Sequence, residues 1–327
     1  MNGYSLCKTI KSQNPDTIVI HREWPDDDIY LRMTPAQWIA SKKAVIGSDD
    51  IWVYTTNEPG YDPKIIQWHE ELLKLNFASP NPLKLVIMNA SSGVPKPEDW
   101  NLSNTLLKLM AQNHDKVILG LHEYFGAVAT SGFIGGTPED TKYHPNYVDR
   151  KNWPNQEAAK GITKWHCGRF QFLVDYCKNN NIQVPRIIMT EHGADAMGDI
   201  DAWLKSLRPT PPSTGVRGYK TLTNQWKLWY PDWSNQQTYF ELVKYLDQNI
   251  YRDTVVEAQL IFCYGHVTAE WAPCDLEGEI EFMSLLEKYA SSSINTPPAP
   301  VVIPPPPVVV PPPLPPVVVV PPGTVPA

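Results

Sequence analysis

The sequence predicts an α/β fold of the β/α-barrel type, built on six parallel strands. Three observations carry this. Short β-branched runs alternate with amphipathic helical patterns from residue 1 to residue 290, and strand–helix alternation means a parallel sheet. The runs are mostly continuous in apolar residues, as strands buried on both faces should be. No G-x-G-x-x-G or G-x-x-x-x-G-K-S/T turn follows the first run, which disfavours a doubly wound nucleotide binder. Polar residues gather instead at the C-terminal ends of several strands, the arrangement of a barrel.

The elements follow in order. A helix over Ser5–Asn14 leads into a first strand, Thr17–His21. Thr34-Pro35-Ala36-Gln37 supplies an N-cap, a proline at the first helical position and a capping glutamine. Ile51–Thr55 is the second strand, and Asp62-Pro63 opens a helix with Ile65, Trp68, Leu72 and Leu75 on one face. Leu85–Met88 and Val117–Leu121 are the third and fourth strands. A stripe of Ile162, Trp165, Phe172, Leu173 and Tyr176, interrupted at Arg169, marks the next helix. Arg186–Thr190 is the fifth strand. Ser234 and Gln237 box a helix carrying Tyr239, Val243 and Leu246; Gln259–Tyr264 is the sixth strand, and Ile280, Met283 and Leu286 mark the last helix. The stripes are read as core, on the amphipathic logic of packed helices.

The strand ends carry the chemistry. In order they present His21-Arg22-Glu23, Asn57-Glu58-Pro59, Asn89, His122-Glu123-Tyr124, Thr190-Glu191-His192-Gly193, and Tyr264 with His266, followed by Trp271. Carboxylates, histidines and aromatics thus converge on one face. Glu123 alternates with His122 and Tyr124 and is expected to face the helices. His69, His114 and His166 fall in helical or turn contexts and are expected at the surface. No His/Asp/Glu group has a spacing such as H-E-x-x-H, so no catalytic metal is expected. There is no G-x-S-x-G elbow. Five cysteines without a C-x-x-C pair argue against a disulfide framework or a zinc knuckle. Cys167 and Cys177 read as buried small hydrophobes.

Asn57-Glu58-Pro59 after Ile51-Trp52-Val53-Tyr54 resembles the acid/base motif at the end of strand four in clan A glycoside hydrolases. Thr190-Glu191-His192-Gly193 after Ile187-Ile188-Met189 resembles their nucleophile motif at the end of strand seven. His122-x-Tyr124 is similar to the His-x-Tyr of their strand six, and Trp271 sits where the clan often places a sugar-stacking tryptophan. The resemblance covers roughly Ser5–Ala290, with family 5-like or family 39-like enzymes nearest. It implies a retaining glycosidase for a β-linked glycan, with Glu58 and Glu191 as the catalytic pair. It further implies Asn57 on the sugar 2-hydroxyl, Tyr124 orienting Glu191, and His122, Arg22 and Trp271 among the substrate contacts. No cofactor is expected. An inactive carbohydrate-binding or structural barrel is the alternative; retention of both glutamates argues against it.

Such a barrel has eight strands. Counting back from Asn57-Glu58 as the end of strand four makes Thr17–His21 strand three, so strands one and two are expected to be missing and Met1 to be internal to a longer protein. Met1–Lys11 has no apolar signal core, and under that expectation an extracellular location stays open. Two loops, Phe125–Pro154 and Asp195–Ser234, are long and rich in aromatics (Tyr143, Tyr147, Trp153, Trp226, Trp229, Tyr230, Trp233) and read as binding loops. The 327 residues are 42% hydrophobic and include twelve Trp and fifteen Tyr. That supports a sizeable core and suits flat ligands such as sugars. The net charge of −7 disfavours a nucleic-acid partner. Residues 291–327 read as a separate tail: Pro297–Ala327 holds fifteen of the 33 prolines. Proline runs exclude a helix and hence a membrane span. Polyproline II is the expected state, a spacer toward a possible further module.

Overall fold

The computed structural model describes residues 3–23, 28–91, 94–125, 168–194, 218–222, 232–251, 254–263 and 272–293. Among these residues six strands form one parallel sheet in chain order: β1 (Ile20–His21), β2 (Trp52–Tyr54), β3 (Lys84–Ala90), β4 (Val117–Phe125), β5 (Ile187–Ala194) and β6 (Val256–Ile261). The sheet curls into an open half-barrel with helices on its convex side. Between the strands lie α1 (Gly3–Gln13), α2 (Ile29–Arg32), α3 (Pro35–Ile46), α4 (Pro63–Phe77), α5 (Asn104–Gln112), α6 (Phe170–Asn179) and α7 (Asn235–Leu246); α8 (Ile280–Ser293) follows β6. Among the described residues no helix is long and apolar enough to cross a membrane.

The helix starts follow the capping chemistry. Thr34 and Gln37 bond reciprocally at the head of α3 (3.3 and 3.0 Å). The Asp62 carboxylate accepts from the Lys64 and Ile65 amides at the head of α4. The Ser234 hydroxyl accepts from the Gln237 amide at the head of α7. Such caps satisfy amides that have no partner inside the helix.

The core has two parts. Ile20, Trp52, Val86, Ile118, Ile188 and Ala258, one from each strand, form a layer on the concave face. The alternate residues Val53, Leu85, Ile87, Val117, Leu119, Ile187 and Met189 pack outward against the helices. Successive residues of a strand point to opposite faces, so each strand serves both layers. This is why the strands read as continuous apolar runs.

Several expectations are corrected. The sixth strand is Val256–Ile261 rather than Gln259–Tyr264, so Tyr264 and His266 do not end it and lie outside the described residues. On α4 the buried face is Ile65, Ile66, Trp68, His69, Leu72, Leu73 and Asn76, and Leu75 is exposed. On α8 the buried residue is Phe282, stacked on Tyr239 (ring centroids 5.0 Å apart), while Ile280 and Met283 face solvent. The helix expected around Arg169 begins at Phe170 and buries Phe170, Leu173 and Cys177; Ile162, Trp165, His166 and Cys167 lie outside the described residues. So does the proline-rich tail.

The two edges of the sheet are less covered than its centre. β2 is buried throughout, whereas β6 is only partly buried and leaves Leu260 41% exposed; Ile18, just before β1, is 40% exposed.

Candidate active site

The C-terminal ends of β2, β4 and β5 meet on the concave side, and the register of the sheet decides which residues face it. His122 and Tyr124 follow Ile118 and Gly120 on the concave face of β4, and Glu123 points the other way. On β5 the same alternation would turn Glu191 toward the helices. A bulge prevents this: Met189 pairs with Leu121, but Glu191 pairs with His122, leaving Thr190 as the extra residue. A bulge re-aims the side chains beyond it. Glu191 therefore joins His122 and Tyr124, and His192 goes to the helix side.

Glu191 is clamped. Arg22 Nη1 donates to its Oε1 at 2.7 Å, and the Tyr124 hydroxyl donates to its Oε2 at 2.6 Å. Its side chain is 10% exposed. Burial and the carboxylates of Glu191 and Glu58 push the Tyr124 phenol well above its ordinary range, so it serves as a donor. Arg22 is itself held: its guanidinium lies 4.9 Å from the Tyr54 ring centroid. Its neighbour Glu23 bonds buried Lys42 (2.5 Å) and His21 (3.3 Å). Burial pushes the Glu23 carboxyl up, but these two partners outweigh it and hold the carboxyl below the usual range.

Glu58 approaches from the end of β2. His122 Nδ1 lies 3.0 Å from its Oε1 and 3.5 Å from Glu191 Oε2. A carboxylate oxygen from each glutamate and a ring nitrogen of His122 all lie within 4.8 Å of one another. The Glu58 side chain is 45% exposed, in contrast to clamped Glu191. Asn57 is buried, and the Tyr54 hydroxyl donates to its Oδ1 at 3.0 Å while lying 3.0 Å from His122 Nε2. Burial pushes the Tyr54 phenol far up, and Arg22 pulls against it.

Glu58, His122 and Glu191 also form a donor set that could hold a cation. Metal spacing in the sequence does not reveal it, because the three come from three strands. Arg22 and Tyr124 already occupy the oxygens of Glu191, so a cation would compete with a guanidinium for the same carboxylate.

The end of β2 is held by an unusual backbone. Glu58 (φ 40°), Met88 (φ 69°) and Asn89 (φ 44°) all adopt left-handed conformations, and Asn181 is the fourth such non-glycine residue described. Each costs on the order of 1–3 kcal/mol. The Glu58 amide donates to the Asn89 carbonyl (3.1 Å), and Asn89 is the bulged residue of β3.

His69 is a functional-region residue missed in the sequence. It is fully buried beneath the end of β2 rather than at the surface. Its Nδ1–H donates to the Ile65 carbonyl (3.0 Å), and its Nε2 faces the Thr55 hydroxyl (3.1 Å) and the Met88 amide (3.4 Å). Burial pushes its pKa down to about 4, so the neutral ring accepts at Nε2. Its position within α4's buried face, one after Trp68, was the available signal.

Glu123 does face the helices, as expected. Its carboxyl accepts from the Gly168 and Phe170 amides at the head of α6 and from the Tyr251 hydroxyl. Burial pushes its pKa up to about 7 against these bonds. His114 is half-buried. Trp271 lies outside the described residues, as do most of the two aromatic loops.

No family model matches the sequence, and no curated protein matches it. Among solved structures it is similar to a Bifidobacterium dentium beta-glucuronidase complexed with coumarin-3-O-glucuronide, at a TM-score of 0.31 and 12% identity, over 76% of this chain and 39% of that one. A likeness of this size bears on neither fold nor function.

Proposed function

We propose that the protein is a retaining glycoside hydrolase acting on a β-linked glycan. The observation that carries this is the pair of carboxyl groups with oxygens within 4.8 Å of each other at the mouth of a parallel half-barrel. Retaining glycosidases hold their two carboxyls about 5–5.5 Å apart, whereas inverting ones leave about 6.5–9.5 Å for a water.

The asymmetry of the pair supports the roles. A nucleophile must be fixed toward one carbon; Glu191 has both oxygens bonded and little solvent access. A group that must release and recover a proton needs water; Glu58 is nearly half exposed. Glu191 attacks the anomeric carbon while Glu58 protonates the departing oxygen, and the glycosidic bond breaks. Glu58 then takes a proton from water, whose oxygen attacks the same carbon and frees Glu191. Asn57 would bond the sugar 2-hydroxyl, a contact that strengthens in the transition state. Arg22, Tyr124 and His122 hold the pair, and Trp271 would offer a face for a sugar ring.

The test uses a panel of chromogenic aryl β-glycosides. Glu191→Gln should abolish turnover of every substrate. Glu58→Ala should retain hydrolysis of glycosides with acidic phenol leaving groups, and added azide should accelerate that variant by replacing the activated water. A β-glycosyl azide from the Glu191 variant and an α-glycosyl azide from the Glu58 variant would exchange the roles; no turnover by the wild type across the panel would refute the reading.

A further inference from the structure

We propose that Asn89 is a positioning residue for Glu58, and that the bulge it occupies sets how well Glu58 delivers its proton to the leaving group. The inference rests on reading Glu58 as the acid/base. Beyond Tyr54, where β2 ends, the chain is stitched to the end of β3. The Thr55 amide donates to the Val86 carbonyl (3.0 Å), the Thr56 hydroxyl to the Met88 carbonyl (3.1 Å), and the Glu58 amide to the Asn89 carbonyl (3.1 Å). Asn89 completes the seam from its side chain: Nδ2 donates to the Thr56 carbonyl at 2.8 Å and to the Val86 carbonyl at 3.3 Å. Asn89 thus holds the Thr56–Glu58 segment at two points, the Glu58 amide through its own carbonyl and the Thr56 carbonyl through its side chain.

The fold accepts costs to keep this arrangement. Three of the four left-handed non-glycine residues described lie in this seam. The Asn89 Oδ1 atom is buried and without a hydrogen-bond partner, which is unfavourable in a low-dielectric interior. Room for it comes from Gly120 on β4: a Cβ there would stand 1.9 Å from Oδ1. Strain, an unsatisfied carbonyl and a space-making glycine coincide at one point, directly behind the acid/base. Strain that persists at a site is retained because the surrounding structure over-determines it, and it clusters where geometry matters for chemistry.

The test separates positioning from stability by leaving group. Asn89→Gly keeps the backbone carbonyl and suits φ 44°, but removes the Nδ2 bonds. Gly120→Ala leaves the seam's own residues intact and crowds Asn89. Thr56→Val deletes one hydroxyl of the seam and guards against a misfolded variant. Each is measured as kcat/KM on a 2,4-dinitrophenyl and a phenyl β-glycoside of the sugar that the wild type hydrolyses best. General acid catalysis contributes about 10²–10⁴-fold, so a misplaced acid should cost about 10–100-fold on the phenyl glycoside and less than about threefold on the activated one. A purely structural role lowers both alike. Glu58→Ala runs in parallel. If it is selective for the phenyl glycoside while the Asn89, Gly120 and Thr56 variants are not, the positioning inference is overturned and the acid/base reading stands. If Glu58→Ala itself lowers both alike, the acid/base reading fails and the inference falls with it.

Discussion

Lowering the pH from 6.5 to 4.5 should destabilise the fold, and replacing His69 should abolish that slope. His69 and His192 are both buried, and burial pushes each pKa from 6.5 to about 4. Between those values the unfolded chain binds a proton on each ring and the folded protein does not. Stability from these groups is therefore complete above 6.5 and lost as the pH falls, by about 1.4 kcal/mol per pH unit for each histidine. Glu123 works the other way. Its folded pKa is raised from 4.5 to about 7, so the folded state holds an extra proton in this window and its contribution grows as the pH falls. Two protons against one leave a net loss of about 1.4 kcal/mol per pH unit, or about 3 kcal/mol from 6.5 to 4.5. That is a large part of the 5–15 kcal/mol typical of a domain. In His69→Gln the remaining histidine and Glu123 oppose each other one to one, and the slope should vanish. In Glu123→Gln it should double. Urea unfolding at half-unit pH steps reads all three proteins. A wild-type stability that is flat or rises toward pH 4.5, or a His69→Gln variant that keeps the full slope, would refute the reasoning.

Other outcomes follow from the same structure. Arg22→Met removes a charged bond worth about 1.5–3 kcal/mol from Glu191, so turnover should fall about 10–100-fold; equal turnover would remove Arg22 from the site. Phe282→Ala opens a void where α8 stacks on Tyr239 and should cost about 3–5 kcal/mol in urea; a loss below about 1 kcal/mol would mean the helix is not packed there. The exposed Leu260 and Ile18 at the sheet edges should drive concentration-dependent association. Leu260→Lys with Ile18→Lys should shift light scattering toward monomer, and an unchanged distribution would locate the association elsewhere.

Much of this was legible because the signals were local. Parallel strands buried on both faces must be apolar along their length, so five of the six runs marked strands within a few residues. Caps at Thr34, Asp62 and Ser234 are set by side chains within three residues of the helix start. Glu58, His122, Tyr124 and Glu191 stood out as polar residues following buried runs. What was hidden depends on partners distant in sequence. The bulge at Thr190 that turns Glu191 inward is a mismatch between two strands, and neither strand encodes it alone. The burial of His69 depends on Thr55 and Met88 above it. The sixth strand begins three residues before the run that the sequence marks, because the edge strand Val256–Ile261 has an interrupted apolar pattern and the run to Tyr264 reads as better sheet. On α8, Ile280 and Met283 share the periodicity expected of a core face, but Phe282 occupies the space beside Tyr239.

The proposed reaction requires that Glu191 become covalently bonded to the sugar. A 2-deoxy-2-fluoro β-glycoside with a dinitrophenolate leaving group slows both steps but forms the intermediate faster than water removes it. The protein should gain the mass of one fluorosugar per chain as it loses activity, and peptide mapping should place that mass on Glu191. Label on any other residue would contradict the account. So would turnover of natural substrate without labelling, accompanied by an inverted anomer in the first-formed product.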